Sequence, residues 1–409
     1  MVKKIGEITS KTFSSLKIRN YRLYFFGQAV SQIGTWMQTI GQSWLVLRLT
    51  NSGTQLGFVA AAQFLPVLLF GPMAGTITDR YNKKKIIFFT QPSFAILALL
   101  LAILVSLSAV KLWMIYIFAT AFGLLSALDT PARQTFVYEM VGKEQLTNAV
   151  SLNGTLFNLT RIIGPAIAGI LIATVGLSPC FYINAASFIA VLVALKFMDT
   201  SLLQNQPRAE NAKGQIKEGF KYILSQPILF DVLLFMFIIG TFAYEFTVTI
   251  PLLAKTTFHG GVGVYALLTA AMGVGSVFGG LYAASRKQPK MINILWSILL
   301  LGSSMLITAV SSNLIFALLG LVLVGFASTS YTSRGNVILQ LNSEPQMRGR
   351  VLALWNVALV GSTPVGAPII GYVSEQLNPQ LGFALGGLST LVVLIYARSR
   401  LGQYNKNNI

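Results

Sequence analysis

The chain has 409 residues, 54% of them hydrophobic and only 10% charged, with a mean hydropathy of +0.68. Soluble domains carry about a quarter charged residues, so the composition argues against a soluble core. The formal charge of +18 would suggest a nucleic-acid partner in a soluble protein, but here the basic residues stand in short connections between apolar runs, and none is expected. Cys180 is the only cysteine and His259 the only histidine, which excludes an intramolecular disulfide, a redox pair and a cysteine-based zinc site. No metal or other cofactor is expected.

The stretch 1–22 is basic and polar, and the apolar run that follows continues past Trp44 without a small-residue cleavage pattern. It reads as a retained first span rather than a signal peptide. Hydropathy, broken by Gly, Pro and charge, predicts twelve spans at 21–49, 54–77, 85–107, 113–136, 147–174, 178–198, 227–254, 262–284, 290–310, 313–338, 349–374 and 380–398. The expected fold class is an all-α membrane protein of two pseudo-symmetric six-helix bundles. These are an N-terminal bundle at 1–199 and a C-terminal bundle at 227–409, joined by a polar linker at 200–226. Within that linker Ile216, Phe220 and Ile223 fall on one helical face, with Lys217, Glu218 and Lys221 elsewhere. This is an amphipathic helix suited to a membrane surface, although a simple tether has the same pattern.

An even number of spans puts both termini on one side, and 26 of the 30 lysines and arginines fall on that side. The positive-inside bias makes it the cytoplasm. The halves also echo each other at a period of about 200 residues, as in transporter folds built from repeats. Asp129-Thr-Pro-Ala-Arg133, Ser151-Leu-Asn153 and Gly164-Pro165-Ala-Ile-Ala-Gly169 are answered by Tyr331-Thr-Ser-Arg334, Leu354-Trp-Asn356 and Gly366-Ala-Pro368-Ile-Ile-Gly371.

The second-to-third loop reads Gly75-Thr-Ile-Thr-Asp79-Arg80-Tyr-Asn82-Lys83-Lys84-Lys85. It resembles the cytoplasmic signature of the major facilitator superfamily, with Asn82 in place of the usual second Gly. The resemblance implies that Gly75, Asp79, Arg80, Lys83 and Lys84, with Arg133, form a cytoplasmic latch that sets the inward/outward balance. Asn tolerates a left-handed backbone, which accommodates the replacement. The equivalent loop of the second half has Ala284 where the first has Asp79.

Ser31-Gln-Ile-Gly34-Thr-Trp36, Asp129-Thr-Pro131-Ala-Arg133, Asn148-Ala149, Arg161-Ile-Ile-Gly164-Pro165 and Arg348-Gly349-Arg350-Val are similar to the enterobactin-exporter and macrolide-efflux branch. Gly164, Pro165 and Gly169 resemble the fifth-helix motif of antiporters, whose preceding glycines are Ser151 and Thr160 here. The resemblance implies a multi-pass protein of the bacterial inner membrane, acting as a monomer on a small molecule, with protons as coupling ion.

Polar side chains inside spans face protein or a water-filled cavity. In the first span Ser31, Gln32, Thr35, Thr39, Gln42 and Ser43 fall within about 60° of Gln28, with Gln38 near the edge, a continuous stripe. Gly27, Gly34 and Gly41 repeat beside it on a face suited to close helix contact. The stripe reads as a cavity wall or as a set of interhelical hydrogen bonds. In the fifth span Asn158 and Arg161 share a face with Thr155 and Ser151. Arg161 reads as a recogniser of an anionic or oxygen-rich substrate or as a fixed tie between helices. Glu245, with Thr241 and Tyr244 near it on the seventh span, is the one carboxylate well inside the membrane. It is the candidate proton-coupling group, because burial disfavours the charged form of a carboxyl; a permanent ion pair with Arg161 is the alternative. Gln63, Asn153, Asn356 and Ser362 complete the cavity candidates, and Asp231 reads as a helix-end charge.

The expected function is therefore secondary active transport by alternating access, as proton-coupled efflux of a siderophore or drug-like molecule. Uptake of a siderophore or movement of a lysophospholipid by the same fold stands as the alternative. No Gly-x-x-x-x-Gly-Lys-Ser/Thr loop is present for ATP, and no catalytic constellation supports an intramembrane enzyme. A non-transporting sensor is the remaining reading.

Overall fold

The computed structural model describes residues 13–204, 215–284, 289–344 and 346–406. In chain order the helices are α1 (Arg19–Thr50), α2 (Gly53–Arg80), α3 (Lys83–Ser106), α4 (Leu112–Thr174), α5 (Ser178–Lys196), α6 (Gln215–Ser225), α7 (Pro227–Ala243), α8 (Phe246–Leu252), α9 (Val262–Ala284), α10 (Met291–Val310), α11 (Leu314–Leu341), α12 (Arg348–Val360), α13 (Thr363–Gln376) and α14 (Pro379–Lys406).

Among the described residues ten helical stretches are long and apolar enough to cross a membrane, and two features bring the crossings to twelve. The 63 residues of α4 would run about 95 Å at 1.5 Å per residue, against a hydrocarbon core of about 30 Å. Gly142 divides them into two arms with φ 68° and ψ −178°, a backbone that only glycine adopts without strain. The other addition is α1, 32 residues long, whose polar stripe lowers its hydropathy below that of its neighbours.

The chain forms two compact units, and they do not follow chain order. The first comprises Met1–Gly41, Phe70–Val110 and Ala121–Asn211. Its core at one end gathers Tyr21, Tyr24, Ile87, Phe136, Met140 and Leu195, and a second cluster stacks Phe94 on Phe188 at 5.4 Å. The glycines of α1 form the expected seam with α5. A Cβ on Gly27 would lie 2.9 Å from the Ala190 carbonyl, and one on Gly34 2.7 Å from Asn184 Oδ1. Beyond α5, Asn20 and the Asp199 backbone exchange two hydrogen bonds of 2.7 and 3.0 Å. The Ser201 hydroxyl and N–H donate to the Asp199 carboxylate and hold it below the usual carboxylate range.

The second unit comprises Gln42–Leu69, Lys111–Thr120 and Ala212–Ile409. Here α9 and α11 pack backbone to backbone, Gly275 and Gly279 against Val322 and Phe326, and Gly325 against Met272. The first turns of α2 join this unit in the same way, Gly53 and Gly57 lying against Gly371 and Ala367 of α13. Small residues permit such approach, which gives membrane helices van der Waals contact where no hydrophobic effect drives association. Asp231, expected as a helix-end charge, is instead fully buried on α7. It accepts from Tyr396 and Arg400 of α14, each at 3.2 Å; a carboxylate at such depth requires these donors.

Candidate functional site

In the first unit the stripe of α1 is divided between buried ties and half-buried positions. Gln28, 5% exposed, donates to the Tyr24 hydroxyl at 2.8 Å. Gln38 accepts from Asn184 of α5 at 2.7 Å. Gln32 and Thr35 are half-buried; Gln32 accepts from Thr160 of α4 at 3.3 Å, and Thr35 returns its hydroxyl to the Ser31 carbonyl at 2.9 Å. Gln38 and Gln32 therefore tie α1 to α5 and α4.

Arg161 lies with its guanidinium 5.6 Å from the Trp36 ring centre, a cation–π geometry. Asn158 donates to the Gly154 carbonyl at 3.0 Å. Gly164 seats α4 against α1: a Cβ there would meet Trp36 Cβ and the Ile33 carbonyl. Pro165 and Gly169 are buried beyond it. Thus the Gly-Pro motif holds the helix contact that places Arg161 over Trp36.

At the basic end of this unit, Arg133 is ion-paired with Asp129 across one turn of α4. Asp129 also accepts from Thr90 and, at 3.1 Å, from Gln91 of α3. Lys83 binds Glu139 at 3.1 Å. Asp129 was read in sequence only as part of a motif and Glu139 not at all, and they are what anchors two of the expected latch cations, Arg133 and Lys83. Asn82 is not left-handed: at φ −64° and ψ 117° it caps α3, accepting from the Lys85 N–H at 3.1 Å. Gly75 has open space where a Cβ would stand, Arg80 is exposed and Lys84 half-buried. The Asp79 side chain lies outside the described positions.

In the second unit Gln42 donates to Gln63 at 3.5 Å, and the larger cluster surrounds Glu245. The predicted seventh span does not run straight through. Tyr244 (φ −97°, ψ 11°) and Glu245 (φ −80°, ψ 42°) interrupt it between α7 and α8. The helical angles that grouped Thr241, Tyr244 and Glu245 in sequence therefore do not hold past Tyr244. The Glu245 carbonyl accepts from the N–H groups of Val248 and Thr249, both at 3.0 Å, and restarts the helix. The residue is 2% exposed, with Thr363 as hydrogen-bonding neighbour of its carboxyl group and no partner for Oε1 among the described residues.

The predicted eleventh span is also interrupted, between α12 and α13 at Gly361 (φ −73°, ψ −9°) and Ser362 (φ −81°, ψ −22°), where the backbone stays right-handed. The two breaks meet. Gly240 lies against the Ala358 carbonyl and the Ser362 hydroxyl, and Gly366 against the Thr241 carbonyl and Glu245 Oε1. Tyr244 extends away and donates to the Ser328 carbonyl of α11 at 3.1 Å. Tyr331 stands fully buried with no hydrogen-bond partner for its hydroxyl among the described residues. Asn356 is exposed on α12. Irregular backbone at membrane depth is tolerated where it is buried in protein or lines a water-filled cavity, and paired discontinuous helices are how transporters build binding sites.

Residues 10–409 match the family described as transmembrane secretion effector, a branch of the major facilitator superfamily. The chain belongs to that family. Like the other major facilitators it is a multi-pass membrane transporter of small molecules and not an enzyme. It is 28% identical to the staphyloferrin A transporter of Staphylococcus aureus, over 90% of this chain and 94% of the relative. The macrolide efflux protein A of Streptococcus pyogenes is 23% identical over 93% and 96%. The enterobactin exporter of Citrobacter koseri is 23% identical over 94% and 92%. The fold of this major facilitator is similar to the crystal structure of nucleoside transporter NupG, with TM-score 0.72 and 14% identity over 94% and 99% of the two chains. It is likewise similar to an inward-facing bacterial homologue of the lysosomal transporter Spinster, with TM-score 0.67 and 15% identity over 94% and 95%.

Proposed function

We propose that this major facilitator is a proton-coupled exporter of a siderophore or drug-like molecule, seated in the bacterial inner membrane with both termini cytoplasmic. Relatives that cover nearly the whole chain are named for macrolide efflux and for enterobactin export, and the lysine and arginine distribution supports the orientation. In this reading the six-helix halves 1–199 and 227–409 alternate access to the two sides of the membrane, with Gln32, Thr35, Asn158 and Arg161 in the first unit and Gln42, Gln63 and Asn356 in the second as the candidates for substrate contact.

The observation that carries proton coupling is the meeting of two broken helices at Glu245. A buried carboxylate without a cation or a full set of donors is costly, whereas a carboxyl that gains and loses a proton as the breaks rearrange does useful work at that point. Arg161 over Trp36 offers a planar cation beside an aromatic face, a surface suited to a catecholate or carboxylate.

A counterflow screen in proteoliposomes tests this reading, using enterobactin, staphyloferrin A and a macrolide at two pH values. Saturable exchange of at least one, driven uphill by an imposed pH gradient, is the expected result. Absence of gradient-driven flux for all three classes contradicts it.

A further inference from the structure

The linker helix α6 presents two different faces. On one side it is tied to the start of α12 and to the connection before it: Glu218 Oε2 binds Arg350 Nη1 at 2.7 Å, and the Tyr222 hydroxyl accepts from the Glu344 N–H at 3.1 Å. Gly219 allows the approach, since a Cβ there would stand 3.1 Å from Arg350 Cβ, and Ile223 is buried beneath. On the other side Phe220 and Leu224, one turn apart, are 56% and 57% exposed.

Two large apolar side chains are thus left open on a polar linker, with Lys221 exposed between them and Lys217 one turn earlier in the sequence. A single residue, Gln226, separates α6 from the membrane-spanning α7, and Phe230 one turn into α7 is exposed as well. The apolar face therefore starts at the membrane boundary. Apolar residues flanked by lysines on a short helix fit the headgroup layer of an anionic leaflet, where they insert to the acyl boundary.

We propose that α6 is a docking helix for anionic phospholipid headgroups, and that the Glu218–Arg350 pair fixes the start of α12 to the membrane surface. The choice of leaflet rests on the cytoplasmic orientation proposed above; the docking itself requires no transport. The tie faces α12, whose end meets α7 where Gly240 lies against the Ala358 carbonyl and the Ser362 hydroxyl. A helix held both by lipid and by Arg350 sets the lever on which the interruption at Gly361 turns.

The test uses the full chain with Phe220→Cys or Leu224→Cys carrying an environment-sensitive dye; Cys180, the only native cysteine, is buried and does not compete. The protein is reconstituted in phosphatidylcholine with brominated acyl chains, with or without phosphatidylglycerol. Bromine quenching of both positions is expected, increasing with phosphatidylglycerol. Lys221→Glu is expected to lower the docked fraction about fivefold. Unquenched dye at both positions in either lipid overturns the proposal, as does quenching indifferent to phosphatidylglycerol and to Lys221→Glu. A quenched helix in a protein that moves none of the tested substrates leaves the docking standing and refutes the export reading instead.

Discussion

The Ser52 hydroxyl donates to the Glu375 carboxylate at 2.6 Å, and the same oxygen accepts from the Thr54 N–H at 2.8 Å. One side chain from the end of α13 thereby caps the start of α2, where free N–H groups and the helix dipole favour an anion. The contact sits beside the close approach of Gly53 and Gly57 to Gly371 and Ala367, and the carboxylate is expected to hold this seam closed. Glu375→Ala removes both hydrogen bonds at a cost of about 1 kcal/mol. A cysteine placed at Gln63 then reacts about fivefold faster with a membrane-impermeant maleimide. Equal rates in the two proteins would show that the carboxylate does not hold the seam.

The α1–α5 seam predicts a graded response. A Cβ at Gly34 meets the Asn184 and Ser187 side chains, whereas one at Gly41 stands 3.3 Å from the Phe181 ring. Gly34→Val is expected to cost about 1–3 kcal/mol through overpacking, and Gly41→Ala to be nearly silent. Thermal unfolding of the purified variants decides the point, and identical melting temperatures would mean that the seam is looser than it stands here.

Asp129 and Arg133 form a buried pair, with Asp129 6% exposed. Asp129→Leu leaves the guanidinium without its counter-charge, at a cost of about 3–5 kcal/mol. Asp129→Leu with Arg133→Met recovers most of that loss, because an apolar pair of similar volume avoids the desolvation. The melting temperatures of the two variants make the comparison. If the single variant is as stable as the double, the pair is screened by solvent rather than buried.

How much of this was legible in the sequence differs from residue to residue. The stripe and the glycine seam of α1 were readable because both follow the helical period, and the bilayer penalises any other placement of polar groups. The partners of Gln28 and Gln38 were not. One hydrogen-bonds a tyrosine a turn away and the other an asparagine 146 positions along the chain, and helical angle does not distinguish them. The break at Tyr244 and Glu245 carries neither Gly nor Pro, and hydropathy runs through it unchanged. It lies against Gly366 of α13, a neighbour more than 100 positions away that a local reading does not see. Asp231 misled for the same reason: close to the start of its span in sequence, it is paired with Arg400, 169 positions away. The duplication, in turn, showed Arg133 and Arg334 as equivalents but not their different surroundings. Arg334 binds the Asn293 carbonyl and Ser297 hydroxyl at 2.9 and 2.7 Å and lies over Tyr282, with Ser330 where the first half has Asp129.

Proton coupling at Glu245 is tested most directly by comparing two fluxes through Glu245→Gln in proteoliposomes. The amide keeps the shape of the side chain and its contact with Thr363 but does not titrate. Uphill transport driven by a pH gradient is expected to disappear, while counterflow of the same substrate without a gradient persists within about twofold of the unaltered protein. Undiminished gradient-driven transport by Glu245→Gln would contradict the assignment.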